Sequence, residues 1–261
     1  MNLLKPRQFP LWLGVLLAIA VTTTMDATGY SMLSALPLFP LMLAFWWWQG
    51  FSRSEVGFSW GAGRHYALAV AYPVLVIPPL VLIAFAAGAV DATDTDWNEF
   101  AINLIVGGIS TIIVGLVTEE GFFRGWLWAG LVRNGSGPRR VLLLTALAFV
   151  AWHLSAVTLD TGFDLPAWQI PIYLANAILM GLAWGLLRLA SGSIVVASVS
   201  HGVWNGMAYS LFGFGEQAGA LGIGATWIYS PETGVLGIVL NAVFVAALWR
   251  HVLKDSNAEP E

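Results

Sequence analysis

Three separated stretches of the chain carry residues of the types and spacings that hydrolytic chemistry uses: Glu119, Glu120 and Arg124 in the first, His153 in the second, His201 and Asn205 in the third. All six lie inside apolar runs, where an ionisable side chain is costly and normally faces a partner or a water-filled cavity. On an α-helix Glu120 and Arg124, four apart, share a face and can pair, while Glu119 is turned away from Glu120 by about 100°. Two adjacent carboxylates therefore divide their roles, one held by arginine and the other free to act as a base. His201 and Asn205 share a face by the same spacing, as do Phe149 and His153. The set suits attack of an activated water on a carbonyl, with Glu119 and His153 deprotonating the water and His201 and Asn205 binding the oxyanion. The absence of cysteine removes disulfides, thiolate ligands and a cysteine nucleophile. Ser155 and Ser200 stand near the histidines, but helix neighbours point in different directions, which disfavours a serine mechanism.

The elements that must position these groups follow from composition. Of 261 residues, 58% are apolar and 10% charged, against about 45–50% and about 25% in a soluble domain. A soluble globular fold is excluded. Eleven basic residues and a net charge of −4 supply no surface for a phosphate backbone, so nucleic acid is not expected as a partner. Apolar stretches of crossing length occur at about 11–25, 30–48, 66–90, 100–132, 141–158, 168–189, 194–212 and 234–253. The expected fold is all-α, a polytopic transmembrane bundle of about eight helices forming one domain over 1–261, with the motif-bearing core at about 100–212. Pro73, Pro78 and Pro79 should kink or break the third span. The fourth, roughly 33 residues long, exceeds what a bilayer needs and must tilt, bend or protrude.

Charge placement tests these spans independently. Ten of the eleven basic residues, from Lys5 and Arg7 through Arg53, Arg64, Arg133, Arg139, Arg140, Arg188, Arg250 and Lys254, fall on alternate sides of the spans, and Arg124 alone is intramembrane. The opposite connections hold Asp26, Asp91, Asp94, Asp96, Glu99, Asp160, Asp164, Glu216 and Glu232 and no Lys or Arg. The positive-inside rule then puts both termini in the cytoplasm after eight crossings. A basic start before an apolar stretch also fits a secretory signal, but no small-x-small cleavage site follows it. Trp46, Trp47 and Trp48 read as an interfacial aromatic belt, and Gly121/Gly125 and Gly181/Gly185 as sites of close helix approach. Measured from the cytoplasmic side, Glu119, His153 and the His201/Asn205 pair all reach a depth of roughly 12–20 Å, so one cavity can serve them.

Read as motifs, Glu119-Glu120-Gly121-Phe122-Phe123-Arg124 is Glu-Glu-x-x-x-Arg, Phe149-Val150-Ala151-Trp152-His153 is Phe-x-x-x-His, and His201-Gly202-Val203-Trp204-Asn205 is His-x-x-x-Asn. In this order, each within a span, they resemble the CAAX protease and bacteriocin-processing (Abi) family, which includes the type II CAAX prenyl endopeptidases. The resemblance covers roughly residues 100 to 210. It implies an intramembrane glutamate-dependent endopeptidase in which Glu119 and His153 activate water, Glu120 and Arg124 support the site, and His201 and Asn205 bind the oxyanion, without cofactor or metal. It also implies a peptide or protein substrate, lipid-modified or membrane-bound, and residence as a multi-pass protein in a bacterial inner or plasma membrane. Four other readings stay open: a polar network that only fixes helix register, a catalytically silent immunity or scaffold protein, a zinc site built from Glu and His, and a proton-coupled transporter, whose inverted repeats are not evident.

Overall fold

The computed structural model describes residues 9–255 except 94, 164 and 216, with the side chains of 254 and 255 also outside the description. Lys5, Arg7, Asp94, Asp164, Glu216 and the Lys254 side chain, used above to orient the spans, lie outside it. The described chain is an all-α, multi-pass bundle. Its helices are α1 (Phe9–Ala27), α2 (Leu38–Gln49), α3 (Arg53–Val56), α4 (Gly63–Ala86), α5 (Trp97–Val117), a π-helical segment (Glu120–Leu127), α6 (Trp128–Arg133), α7 (Pro138–Trp152), α8 (Leu154–Thr158), α9 (Ile170–Ser191), α10 (Ile194–Phe212), α11 (Thr226–Tyr229) and α12 (Val235–Asp255). A two-residue antiparallel hairpin, β1 (Gly213–Phe214) with β2 (Gln217–Ala218), follows α10.

Six helical segments are long and apolar enough to cross a membrane: Phe9–Ala27, Ser31–Gln49, Gly63–Ala86, Trp97–Arg133, Ile170–Ser191 and Val235–Leu253. The other two expected spans are helical but are not among these six, because 141–158 divides at His153 and 194–212 carries Ser, His and Asn on its inner face. The third span runs unbroken through its three prolines. The long fourth span breaks at Thr118, whose φ of −103° and ψ of −93° leave the helical region. Its hydroxyl donates back to the Val114 carbonyl at 2.7 Å, and the chain re-forms as the π-helical segment, all eight of whose residues are buried.

Local sequence explains the ends of the elements that bear the site. Asp96 caps α5, its carboxylate accepting from the Asn98 and Glu99 amides at 2.9 and 3.1 Å, and Ser193 caps α10 through the Val195 and Val196 amides. A side-chain oxygen that satisfies two of the orphan N–H groups fixes where a helix begins. α5 and α10 make the most extensive helix pairing of the bundle, and they meet along glycine. A Cβ at Gly202 would stand 2.5 Å from the Gly108 carbonyl oxygen and 2.8 Å from the Ile112 nitrogen. On its other side α5 presents Ile102, Ile105, Val106, Ile109 and Ile113 fully outward, the surface a lipid-facing helix requires.

A polar clamp ties the bundle at the end where Arg133 lies. Glu55 bonds Arg133 at 2.7 Å, and Arg133 also donates to the Gln49 carbonyl at 2.7 Å. The Ser52 backbone amide first, then the Arg133 guanidinium and the Ser52 hydroxyl, donate to the Glu55 carboxylate and hold it down to about 2. Arg188 reaches across from α9 to the Glu55 carbonyl at 3.0 Å and the Arg124 carbonyl at 3.2 Å.

Candidate active site

The break at Thr118 puts Glu119 at the mouth of the π-helical segment, and the division of 141–158 puts His153 at the joint between α7 and α8. His201 comes from α10, immediately before Gly202 of the glycine seam. The three side chains meet. One oxygen of Glu119, Oε2, stands 4.0 Å from Nε2 of His153 and 4.0 Å from Nε2 of His201. That separation is too long for a direct hydrogen bond and suits a single water or a reacting atom between the groups. Glu119 is 18% and His153 19% exposed, whereas the His201 side chain is 4% exposed.

Each imidazole has its second nitrogen assigned. His153 Nδ1 lies 2.9 Å from the Phe149 carbonyl, which only an N–H can satisfy, so Nδ1 carries a proton and Nε2 turns to Glu119. The Phe-x-x-x-His spacing of the sequence is this bond. His201 Nδ1 lies 3.1 Å from Glu120 Oε1 and its ring stacks on Trp184 with centroids 4.0 Å apart. The same Glu120 oxygen pairs with Arg124 Nη1 at 3.4 Å, both side chains fully buried. Arg124 in turn donates to the Gly181 carbonyl and lies over the Phe149 ring, 4.3 Å from its centroid. Glu120 is thus bound by arginine and imidazole, whereas Glu119 stays partly exposed. Asn205 lies one turn beyond His201 on α10, partly exposed, its side chain without a hydrogen bond to another described residue.

Neither serine hydroxyl bonds a site histidine among the described residues. Ser155 donates to Asp26 at 2.6 Å, and the Ser200 hydroxyl is buried without a hydrogen-bond partner among the described residues. A cavity of about 450 Å³ beside the α8–α9 connection is walled by Val157, Asp160, Leu165 and Ile170, and none of the six site residues borders it.

Two acids that the sequence placed in solvated connections are buried. Asp26 ends α1 against Ser155, next to the His153 joint. Glu232 accepts from the Trp204 indole N–H at 2.7 Å, inside the His-x-x-x-Asn motif. The signal for Glu232 in the sequence is a pair of intramembrane amides, Asn176 and Asn241. They clamp the loop that carries Glu232, Asn176 donating to the Gly234 carbonyl and Asn241 to the Pro231 carbonyl, each at 3.1 Å.

Residues 101–207 match the family model described as type II CAAX prenyl endopeptidase Rce1-like. The motif-bearing core is similar to the Rce1-like family over this stretch. The matched segment contains the Glu119–Arg124, Phe149–His153 and His201–Asn205 stretches whole, and the family it resembles is one of CAAX-type membrane proteases, hydrolases acting on a peptide or protein. No curated protein and no solved structure matches the chain. The Rce1-like core therefore rests on the family pattern and on the geometry above.

Proposed function

We propose that the protein is an intramembrane endopeptidase that hydrolyses a peptide bond with water activated by Glu119 and His153. The observation that carries this reading is the equal 4.0 Å spacing of Glu119 Oε2 from the two imidazole Nε2 atoms. Glu119 takes a proton from water held against His153 Nε2, and the hydroxide adds to the carbonyl carbon. The oxyanion so formed is met by His201 Nε2–H and the Asn205 amide. Because His201 donates its Nδ1–H to the Glu120 carboxylate in a hydrogen bond, Nε2 donates only when the ring carries both protons, and the Glu120 carboxylate is the counter-ion to that state. On collapse the C–N bond breaks and the nitrogen leaves with the proton Glu119 had taken. Arg124 keeps Glu120 oriented from the other side. The same reading takes 141–158 and 194–212 as further crossings, eight in all, with both termini cytoplasmic.

Replacing Glu119 by Gln removes the base while keeping its shape, and should lower kcat by about 10² to 10⁴-fold. The measurement is cleavage of a membrane-anchored peptide by the full protein in liposomes, run in parallel for H153A and H201A, with and without chelator. Loss in all three variants, indifferent to chelator, supports glutamate catalysis. Cleavage that stops on chelation assigns the same groups to zinc, and variants that cut normally while solute flux across the vesicles falls make the protein a transporter.

A further inference from the structure

Glu232 stands outside the three motifs yet is built into the same polar interior. The segment 230–234, Ser-Pro-Glu-Thr-Gly, turns inward between α11 and α12. The amides of Asn176 and Asn241 hold it by the Gly234 and Pro231 carbonyls, Gln169 holds the Thr233 carbonyl at 2.9 Å, and the Ser230 hydroxyl accepts from the Glu232 and Thr233 amides. The turn is thus held by side chains of α9, including its N-cap, and of α12. Glu232 is 7% exposed. Its Oε1 accepts from Trp204, whereas its Oε2 has no hydrogen-bond partner among the described residues and is not one of the atoms sealed from solvent.

The Glu232 turn is held by the helices that carry His201 and its stacking partner Trp184. Tyr173 lies on α9 between Gln169 and Asn176, the two residues of that helix end that bond the turn, and Tyr209 lies one helical turn beyond Asn205 on α10. Tyr173 packs near the His153 ring, and Phe163 and Phe214 bridge it to Tyr209 in ring contacts of 5.4, 4.8 and 4.7 Å. Three acids, Glu119, Glu120 and Glu232, stand here against Arg124 and the His201 imidazole, both of which are engaged by Glu120, and burial pushes the Glu232 carboxyl up to about 7. A buried negative excess is costly without a compensating charge, and a carboxylate beside aromatic faces is the chemistry that receives an ammonium or guanidinium.

From the unpartnered Glu232 oxygen and the adjoining tyrosine wall, we infer that the protein has a subsite for a cationic side chain, Lys or Arg, within a few residues of the bond it cuts. This rests on the endopeptidase reading above for its meaning, but not for its detection. The test uses the full protein in phosphatidylcholine liposomes and dansyl-labelled membrane peptides, identical except for one Lys or its neutral twin Gln walked through the positions flanking the cleaved bond. At one position the Lys peptide should be cut with kcat/KM about tenfold above its twin, the scale of one charged hydrogen bond. E232Q keeps an acceptor for Trp204 and should bring that ratio close to one. A ratio near one at every position in the unaltered protein, or a ratio unchanged in E232Q, overturns the subsite. Binding of the same peptides to E119Q and to E119Q/E232Q separates the two claims. Lys preference in binding that needs Glu232, with no cleavage of any peptide, sinks the protease and keeps the subsite; cleavage blind to charge does the reverse; neither cleavage nor charge-dependent binding sinks both.

Discussion

The Glu120 carboxylate is shared by two partners through one oxygen, Arg124 at 3.4 Å and His201 at 3.1 Å, while its other oxygen is buried and unbonded among the described residues. A carboxylate so enclosed depends on its partners. Arg124→Ala strands it, and breaking a buried pair from one side costs about 3–5 kcal/mol. Thermal unfolding in detergent should show that loss, and adding Glu120→Gln to the same chain should recover part of it, because a neutral amide needs no counter-charge. This pair was legible in the sequence, since a four-residue spacing puts two side chains on one face whether or not the helix is regular. Glu232 was not. An acid flanked by Pro and Gly just before a span reads as a solvated turn, and only the amides facing it from Asn176 and Asn241 mark the turn as interior.

At the scale of the elements, the α5–α10 seam decides where Glu119 stands relative to His201. Gly202→Ala forces its methyl into the α5 backbone at Gly108 and Ile112. Overpacking of this kind costs about 1–3 kcal/mol, and the separation of the helices should lower cleavage in parallel with the unfolding temperature. Gly107→Ala, one position away and with open space around its Cβ, should leave unfolding unchanged or slightly raise it through helix propensity. Existence and order of the long helices could be read from apolar runs, because lipid demands continuous backbone pairing. The two interruptions could not. Thr118 and His153 are unremarkable in an apolar window, because neither residue type is a helix breaker of the Gly or Pro kind.

Over the whole molecule, the clamp around Glu55 gives a pH signature separate from catalysis. Glu55 falls from the ordinary 4.5 to about 2 on folding, so its contribution is complete above about pH 4.5 and disappears as pH drops toward 2. Unfolding followed at pH 7 and at pH 3 should show the unaltered protein ahead of Glu55→Gln at the higher pH and the difference shrinking at the lower one. The pair with Arg133 is partly exposed, which keeps the effect small. Positive charge on alternate connections was enough to identify a multi-pass membrane protein, whereas six segments among the described residues are long and apolar enough to cross, because α7 stops at Trp152 and α10 carries Ser, His and Asn.

α5 has only two buried residues along its length, Gly108 and Gly115. The helix that ends beside the proposed base is therefore pinned to the protein by a narrow strip of backbone, and acyl chains supply the rest of its surroundings. Its tilt must answer to hydrophobic mismatch, at fractions of a kcal/mol per Å of thickness. Turnover measured across liposomes of increasing acyl length should pass through an optimum while the unfolding temperature moves little, making bilayer thickness a regulator of the catalytic register.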